Sequence, residues 1–331
     1  MSFVYITEEG SRISKHAGTF VVSRNRETLF SVPAEGIEGV VLIDSVQVSS
    51  QAIVEFLQRG IPVTWISTTG KFFGKLESTR HVQVFKQRQQ MLMQDNAFSL
   101  AIGKRTVKAK VHNQITLLRR YNRRIENPDI YKDIRNIMTL EQNIEKAEDK
   151  EQLRGYEGIC AKLYFSALGK LVPQEFNFEK RSKRPPLDPF NSMLSLGYTL
   201  VMYELYTAIS NQGLHPYFGF FHSLRNNHPA LASDLLEEWR PVLIDSLVLS
   251  LIHHREIVSE HFYHWEKSDG IFLNPEGRKI FLQAYEKKMR TMNQYITGKH
   301  SYRRSLDYQV EQYSQALMQE NSSLYEPIWI R

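Results

Sequence analysis

Cysteine is almost absent from this sequence, since its 331 residues contain only Cys160. A single cysteine excludes an internal disulfide and any zinc site built from several thiolates. Cys160 lies in the apolar stretch GICAKLYF, which favours a small buried side chain over a reactive thiolate. We therefore expect Cys160 to pack in a core and the chemistry of the protein to use other side chains.

Long apolar runs are also lacking. The longest, PVLIDSLVLSLI from Pro241 to Ile252, is interrupted by Asp245 and is too short to cross a bilayer. The first residues, MSFVYITEEGSR, form a strand-and-turn pattern and not the basic, then apolar pattern of a secretory signal. We expect no contact with a membrane and a cytoplasmic location.

Acidic residues are missing from one long segment. From Lys104 to Arg124 the sequence KRTVKAKVHNQITLLRRYNRR holds eight lysines and arginines and no acid, in a chain of formal charge +6. A solvated helix face usually mixes both signs, because opposite charges on neighbouring turns attract. The uncompensated charge, with a second cluster KRSKR from Lys180 to Arg184, favours phosphate contacts and hence nucleic acid.

The pattern of the chain changes near residue 80. Before it, short alternating stretches such as GTFVVS and GVVLID predict strands, and SSQAIVEFLQRG predicts one helix that begins at Ser49 or Ser50 and ends at Gly60. Beyond it, apolar residues recur at helical spacing. We predict an α+β protein, with a small, mostly β domain over residues 1–85 and a larger, all-α catalytic domain over 86–331. The predicted helices cover 81–124, 129–147, 151–170, 189–211, 229–254 and 275–297.

Three positions in the helical part could carry chemistry. Glu157 shares an apolar helix stripe with Ala161, Tyr164 and Leu168, so it should point inward, and a buried glutamate needs a partner. Asp234 and Glu237 are three residues apart and should share a helix face. Each position also has a structural explanation, namely an arginine partner for Glu157 and favourable acids in a first helical turn.

His222 follows the apolar GFF and could be an ordinary core histidine. Together with the three acids, however, it supplies oxygen and imidazole ligands without a thiolate, a set that suits Mg²⁺ or Mn²⁺. A divalent ion beside a basic surface indicates phosphodiester chemistry. Two other functions stay open on the residues alone, a catalytically idle DNA-binding scaffold and a zinc hydrolase of small substrates.

The sequence resembles a known family, the CRISPR-associated adaptation endonuclease, which is the integrase subunit of spacer acquisition and is usually called Cas-one. The resemblance covers nearly the whole chain in separate stretches that occur in the right order. They include GVVLIDSVQVSSQAIVEFLQRGIPVTWISTTGKFFGKL, AKVHNQITLLRR, GYEGICAKLYFSAL, SMLSLGYTLVMYELYTAISNQGLHPYFGFFHS and SDLLEEWRPVLIDSLV.

The resemblance implies a metal-dependent DNA endonuclease and integrase that inserts short foreign DNA into a CRISPR array for antiviral defence. By residue-for-residue match, Glu157, His222 and Glu237 would be the catalytic residues and would hold Mg²⁺ or Mn²⁺, with Asp234 beside the metal. The partners implied are double-stranded and branched DNA, a homodimer formed through the β domain, and a small companion protein that bridges two dimers.

Contacts with DNA are predicted at basic residues near the site and along the basic segment. Tyr198 and Tyr217 are also close to the site in sequence, but packing is the more common role for such tyrosines. The segment NNHPALAS has His228 and Ala230 where many relatives have arginine or serine, which leaves the surroundings of the ligands open. The predicted DNA contacts are Arg240, Arg225, Lys104, Lys108, Arg119 and Arg123.

Overall fold

The computed structural model describes residues 2–266, 268–296 and 298–331. By its internal contacts the chain divides into two compact units, one up to His81 and one from Val82 to Arg331. The division lies four residues before the boundary that the sequence suggested after residue 85. A β-rich N-terminal region followed by a helix-rich C-terminal region confirms the predicted fold class.

The N-terminal unit is built from short strands and one helix. In chain order within residues 2–81 these are β1 (Ser2–Ile6), β2 (Arg12–His16), β3 (Thr19–Arg24), β4 (Glu27–Pro33), β5 (Ile37–Ile43), β6 (Gln47–Val48), α1 (Ser50–Arg59), β7 (Val63–Ile66) and β8 (Phe72–Leu76). One sheet has the order β1-β5-β7-β8, in which the first three strands are parallel, and the other has the order β4-β3-β2-β6.

The helix α1 begins and ends where the sequence predicts. The side chain of Ser49 accepts a hydrogen bond from the backbone N–H of Ala52, and Gly60 ends the helix in the left-handed conformation at φ 68°. On the buried face Phe56 stacks on Phe20, with ring centroids 4.1 Å apart. An apolar face of the helix thus contributes to the core between the strands.

The C-terminal unit contains long helices and two short hairpins. The helices are α2 (Val84–Leu92), α3 (Ala97–Ile125), α4 (Pro128–Ile144), α5 (Lys150–Gly169), α6 (Pro189–Asn211), α7 (Ala230–Leu236), α8 (Ser246–His253), α9 (Pro275–Arg290) and α10 (Tyr302–Met318). The strands are β9 (Phe262–His264) and β10 (Ile271–Leu273), then β11 (Met292–Tyr295) and β12 (Gly298–Ser301), each pair antiparallel.

Three predicted helices differ from the observed ones, and α10 was not predicted. The helix predicted over 81–124 is two helices, α2 and α3, which residues 93–96 separate. The helix predicted over 229–254 is interrupted after α7 by a 3₁₀ turn, Glu237–Trp239, and a π-helical segment, Arg240–Asp245, before α8 begins. Pro241 cannot donate the backbone hydrogen bond that a regular helix needs there. The helix predicted over 275–297 ends at Arg290, because the following residues pair as a hairpin.

Helix α3 lies at the centre of the C-terminal unit. It packs against α4, against α5 and against the segment from Glu237 to Asp245. Its buried Asn113 donates hydrogen bonds to the carbonyl oxygens of Glu238, at 3.0 Å, and Ile328, at 2.9 Å, and accepts one from the N–H of Ile330. One amide therefore joins α3 to the 3₁₀ turn and to the C-terminal residues.

Among the described residues, no helix is both long and apolar enough to span a membrane.

Replacing Asn113 with alanine should lower the free energy of unfolding by about 2–4 kcal/mol, because the buried carbonyls of Glu238 and Ile328 and the half-buried N–H of Ile330 would each lose a hydrogen bond. Urea denaturation measures the change. The matched control is Asn211→Ala, at an exposed position near the end of α6, which should change the free energy by less than about 0.5 kcal/mol. Equal stability of the two variants would contradict the role assigned to Asn113.

Candidate active site

Four residues predicted from the sequence meet in one place in the C-terminal unit. Glu157 lies on α5, and His222 lies between α6 and α7, in a turn that begins at Gly219. Asp234 lies in α7, and Glu237 opens the 3₁₀ turn after it. We call Glu157, His222, Asp234 and Glu237 the acid cluster.

Asp234 holds the turn that carries His222. Its carboxylate is fully buried and accepts backbone N–H hydrogen bonds from Phe220 at 2.6 Å, from Phe221 at 2.9 Å and from His222 at 2.9 Å. The ring atom Nδ1 of His222 lies 2.5 Å from Asp234 Oδ1. The imidazole is therefore fixed by Asp234 through Nδ1, which leaves Nε2 for another ligand.

A glycine is required where this turn passes closest to Asp234. A Cβ atom on Gly219 would lie 2.3 Å from Asp234 Oδ2 and 2.9 Å from the backbone carbonyl carbon of Ala230. Neither the buried carboxylate, which is hydrogen-bonded to three amides, nor the helix backbone can move away freely. The glycine of the GFFH stretch is thus part of how the site is built.

Lys110 on α3 lies between the two remaining carboxylates. Its Nζ donates a hydrogen bond to Glu157 Oε1 and lies 2.5 Å from Glu237 Oε2. That Oε2 atom is buried and accepts no well-oriented hydrogen bond from the described residues. The other oxygen of Glu237 accepts a hydrogen bond from Arg240 Nε at 3.0 Å and lies 3.9 Å from His222 Nε2.

The ionisation of the acid cluster follows from these contacts. Burial alone would raise the pKa of Glu237, but the charges of Arg240, Lys110 and His222 outweigh it and hold the pKa well below its usual range. Burial would lower the pKa of Lys110, but Glu157 and Glu237 raise it to about 12. Burial likewise opposes charge on His222, and Asp234 still raises its pKa. Glu237 is therefore ionised, and Lys110 carries a positive charge.

A cleft of about 1020 Å³ opens beside the acid cluster, and its lining includes Glu157, His222 and Glu237. Among the described residues that line it, nine are lysine or arginine and four are aspartate or glutamate. Two of the predicted DNA contacts, Arg225 and Arg240, belong to this lining. Arg225 is exposed, whereas Arg240 is largely buried and paired with Glu237.

The other four predicted DNA contacts lie along α3, outside the lining of the cleft. Lys104 Nζ donates to the backbone carbonyl of Glu145, and Lys108 Nζ donates to its carboxylate, both at 2.8 Å. Arg119 and Arg123 are exposed. Part of the basic segment therefore contacts Glu145, which directly follows α4, and the sequence pattern did not show this contact.

Tyr198 is a buried residue of the cleft lining. Its buried hydroxyl donates to Asp245 Oδ1, and the hydroxyl of Tyr164 donates to Asp245 Oδ2 at 2.6 Å. The guanidinium carbon of Arg240 lies 4.4 Å from the centroid of the Tyr198 ring. Burial, opposed by the two tyrosine hydroxyls, raises the pKa of Asp245 to about 6. Asp245 thus anchors the ring on which Arg240 rests.

Three further residues discussed from the sequence have packing contacts. Cys160 is fully buried, and burial raises the pKa of its thiol to about 11, which agrees with a core residue. His228 lines the cleft, with its ring centroid 6.0 Å from that of His222. Tyr217 is half-buried and makes an edge contact with Tyr206 at 6.2 Å between centroids.

The role of Lys110 was not predicted, because in the sequence it is only one of the eight basic residues from Lys104 to Arg124. A helical reading of α3 places Lys110 on the same stripe as Thr106, Asn113 and Leu117, all of which are buried. A lysine on a buried stripe needs an acidic partner, and this signal was available. Arg154 and Lys162 in the cleft lining could not be found this way, because no pattern relates the segments to each other, whereas Lys180, Arg181 and Lys183 of the predicted KRSKR cluster do line the cleft.

The donor atoms are compatible with a hard divalent cation, although they are not arranged as a finished site. Among the described residues no group of three His, Cys, Asp or Glu is placed to hold one ion together. The ammonium of Lys110 lies between Glu157 and Glu237 and contacts both carboxylates. The buried Oε2 of Glu237, which contacts the ammonium of Lys110, and a histidine fixed through its other nitrogen nevertheless form a donor set that suits such an ion.

Comparison with known proteins identifies the family. Residues 4–287 match the family described as CRISPR associated protein Cas1. The chain belongs to the Cas1 family. A curated relative from Thermus thermophilus, named CRISPR-associated endonuclease Cas1 3, is 35% identical over 99% of this chain and 97% of its own length.

Solved Cas1-like structures share the fold. A chain of a Cas6-RT-Cas1–Cas2 complex is 25% identical with a TM-score of 0.86, and the match covers 99% of this chain and 36% of that longer chain. A casposase bound to its integration product is 20% identical with a TM-score of 0.85, over 97% of this chain and 92% of its own. The latter similarity concerns the fold alone.

Replacing Gly219 with alanine should destabilise the protein by about 2 kcal/mol or more, because the new methyl group collides with Asp234 and the α7 backbone. Thermal and urea unfolding measure this change. The matched control is Gly155→Ala within α5, where a Cβ meets nothing within 4 Å, and this variant should gain about 0.5–1 kcal/mol. Changes of the same sign in both variants would refute the proposed tight approach.

Proposed function

We propose that this Cas1-family chain is a divalent-metal-dependent DNA endonuclease and integrase that inserts short DNA fragments into a CRISPR array. The observation that carries the proposal is the meeting of Glu157, His222 and Glu237, from separate segments, on one wall of a basic cleft. Relatives named CRISPR-associated endonucleases support the class of reaction. The casposase bound to an integration product supports strand transfer on this fold.

Glu157, His222 and Glu237 would hold Mg²⁺ or Mn²⁺. When bound, such an ion polarises the scissile phosphate and stabilises the charge that develops on it. Asp234 would not be a ligand, since both of its oxygens already accept hydrogen bonds from backbone amides. Its role would be to orient His222 so that Nε2 faces Glu237 and the cleft.

The proposed reaction exchanges one phosphodiester for another and therefore needs no external energy source. The 3′-hydroxyl oxygen of the incoming fragment attacks phosphorus and loses its proton. The bond from phosphorus to the 3′-oxygen of the array strand breaks, and that oxygen gains a proton. With water as the attacking group, the same site would act as a nuclease.

The basic cleft would hold the DNA backbones near the acid cluster. Arg225, exposed in the cleft, and Arg119 and Arg123, exposed on α3, are the predicted contacts most available to phosphates. Lys104 and Lys108 would first have to leave Glu145, and Arg240 is committed to Glu237. We therefore expect Arg240 to affect the phosphate only indirectly, by holding Glu237 in position.

The assembly that we propose follows the family and its structural relatives. The N-terminal unit would form a homodimer, and a small companion protein would bridge two dimers. The solved Cas6-RT-Cas1–Cas2 complex, which contains a chain similar to this one, supports the companion protein. Double-stranded and branched DNA would be the substrate. Because a CRISPR array lies in the cytoplasm of the cell that carries it, we propose that the protein acts there.

Glu157→Gln and Glu237→Gln should each lower strand transfer at least about 10³-fold while the variants stay folded and bind DNA, because the ligands of the metal lose their charge. A gel assay with Mn²⁺, a short duplex and repeat-bearing DNA measures the transfer. Glu151→Gln is the matched control, since Glu151 is an exposed acid on the same helix as Glu157.

The same assay separates the enzyme from the alternative, a catalytically idle DNA-binding scaffold. A scaffold would bind DNA with a steep salt dependence and would not respond to Mn²⁺ or to a chelator. Full transfer activity in purified Glu237→Gln protein would show that the proposed site is wrong.

Arg225→Gln should reduce the slope of log affinity against log salt for DNA by about 1, because one phosphate contact is lost. Lys108→Gln should change the slope less, since Lys108 is already neutralised by Glu145. Fluorescence anisotropy with a labelled duplex at several salt concentrations measures both slopes. A larger change for Lys108→Gln than for Arg225→Gln would place the DNA along α3 and not in the cleft.

A further inference from the structure

We propose that Lys110 is an internal counter-cation that competes with the divalent metal ion for Glu157 and Glu237 and so lowers the metal affinity of the free protein. The inference rests on the proposed function, because it assumes that these carboxylates are the metal ligands. It assigns to Lys110 a role in positioning the two carboxylates and not a part in the chemical step.

The ammonium group of Lys110 lies between the two carboxylates. Nζ of Lys110 contacts Oε1 of Glu157 and lies 2.5 Å from Oε2 of Glu237, so it fills the space between two carboxylates from different segments. Hard divalent ions bind carboxylate oxygens at about 2.0–2.2 Å. A metal ion held by the same two oxygens would need the space that the ammonium occupies.

The negative charges of Glu157 and Glu237 require a cation between them. Without a cation between them, Glu157 and the buried Glu237 would repel each other, and burial would make the ionised form of Glu237 costly. Lys110 supplies that cation, while Arg240 partly neutralises Glu237 from the other side. A divalent ion that entered beside Lys110 would meet a like charge at contact distance, so the lysine must move before the ion is bound well.

The side chain of Lys110 has room to move into the cleft. Its side chain is 7% exposed, yet it belongs to the lining of the cleft of about 1020 Å³. A lysine has a flexible four-carbon stem and a single point charge, so its head can turn into the cleft while its helix stays in place. An arginine in the same position would fill more space and would be harder to displace.

Lys110→Met is the principal test, because methionine keeps the length of the side chain and removes the charge. Mn²⁺ affinity, measured by isothermal titration calorimetry without DNA, should be at least about tenfold tighter than in the natural protein. Lys108→Met, on the same helix and ion-paired with Glu145, is the matched control and should leave Mn²⁺ affinity unchanged. Lys110→Arg keeps the charge and should not bind Mn²⁺ more tightly.

Two outcomes overturn the inference, and a third variant keeps it separate from the proposed function. Unchanged or weaker Mn²⁺ binding by folded Lys110→Met protein would show that Lys110 does not compete. Equal tightening in Lys108→Met would reduce the effect to overall charge. If Mn²⁺ binding to the natural protein is not lost in Glu157→Gln, the proposed metal site itself is wrong, whatever Lys110 does.

A second measurement covers the case in which Lys110→Met does not fold. In the natural protein Lys110 is buried and ion-paired, so an amine-acylating reagent should modify it slowly. Saturating Mn²⁺ should raise the acylation of Lys110 several-fold, as measured by peptide mass spectrometry, while exposed lysines such as Lys132 stay unchanged. Acylation of Lys110 that does not respond to Mn²⁺ would overturn the inference.

Discussion

The proximity of Glu157 and Glu237 is the constraint on which the rest of the site depends. Two ionised carboxylates come together inside a protein only if a cation lies between them. Here α3 supplies it as Lys110, which contacts Glu157 on α5 and Glu237 in the 3₁₀ turn after α7. Because α3 also packs on α4 and α5, the helix that neutralises the acids is the one that organises the unit.

A second buried acid fixes the histidine. Asp234 has no exposed surface and uses its oxygens on three consecutive amides and on His222 Nδ1. This arrangement makes the turn rigid, and it explains why the turn begins with a glycine that leaves room for the carboxylate. Asp234 thus stabilises the turn that carries His222, while Glu237, three residues later, faces the cleft.

The sequence predicted the local features of the site but not its assembly. The apolar stripe turned Glu157 inward, because this depends only on the helical period. The same period predicted one helix face for Asp234 and Glu237, but α7 ends at Leu236 and Glu237 lies in the 3₁₀ turn after it. That Glu157 and Glu237 share Lys110 depends on packing between distant segments, which no period encodes. The irregular stretch from Glu237 to Asp245 was missed for a similar reason, since its apolar pattern equals that of a helix and only Pro241 marked the break.

That irregular stretch has a structural consequence for the site. The π-helical turns from Arg240 to Asp245 contain both the cation that pairs with Glu237 and the acid that receives the hydroxyls of Tyr164 and Tyr198. Arg240 also lies on the Tyr198 ring, so the guanidinium is held by an ion pair at one end and by a ring at its face. A π-helical segment of this kind often lies at a functional site, because its wider turn brings together side chains that a regular helix would keep apart. Asp245 therefore acts on the acid cluster indirectly, through the ring that keeps Arg240 against Glu237.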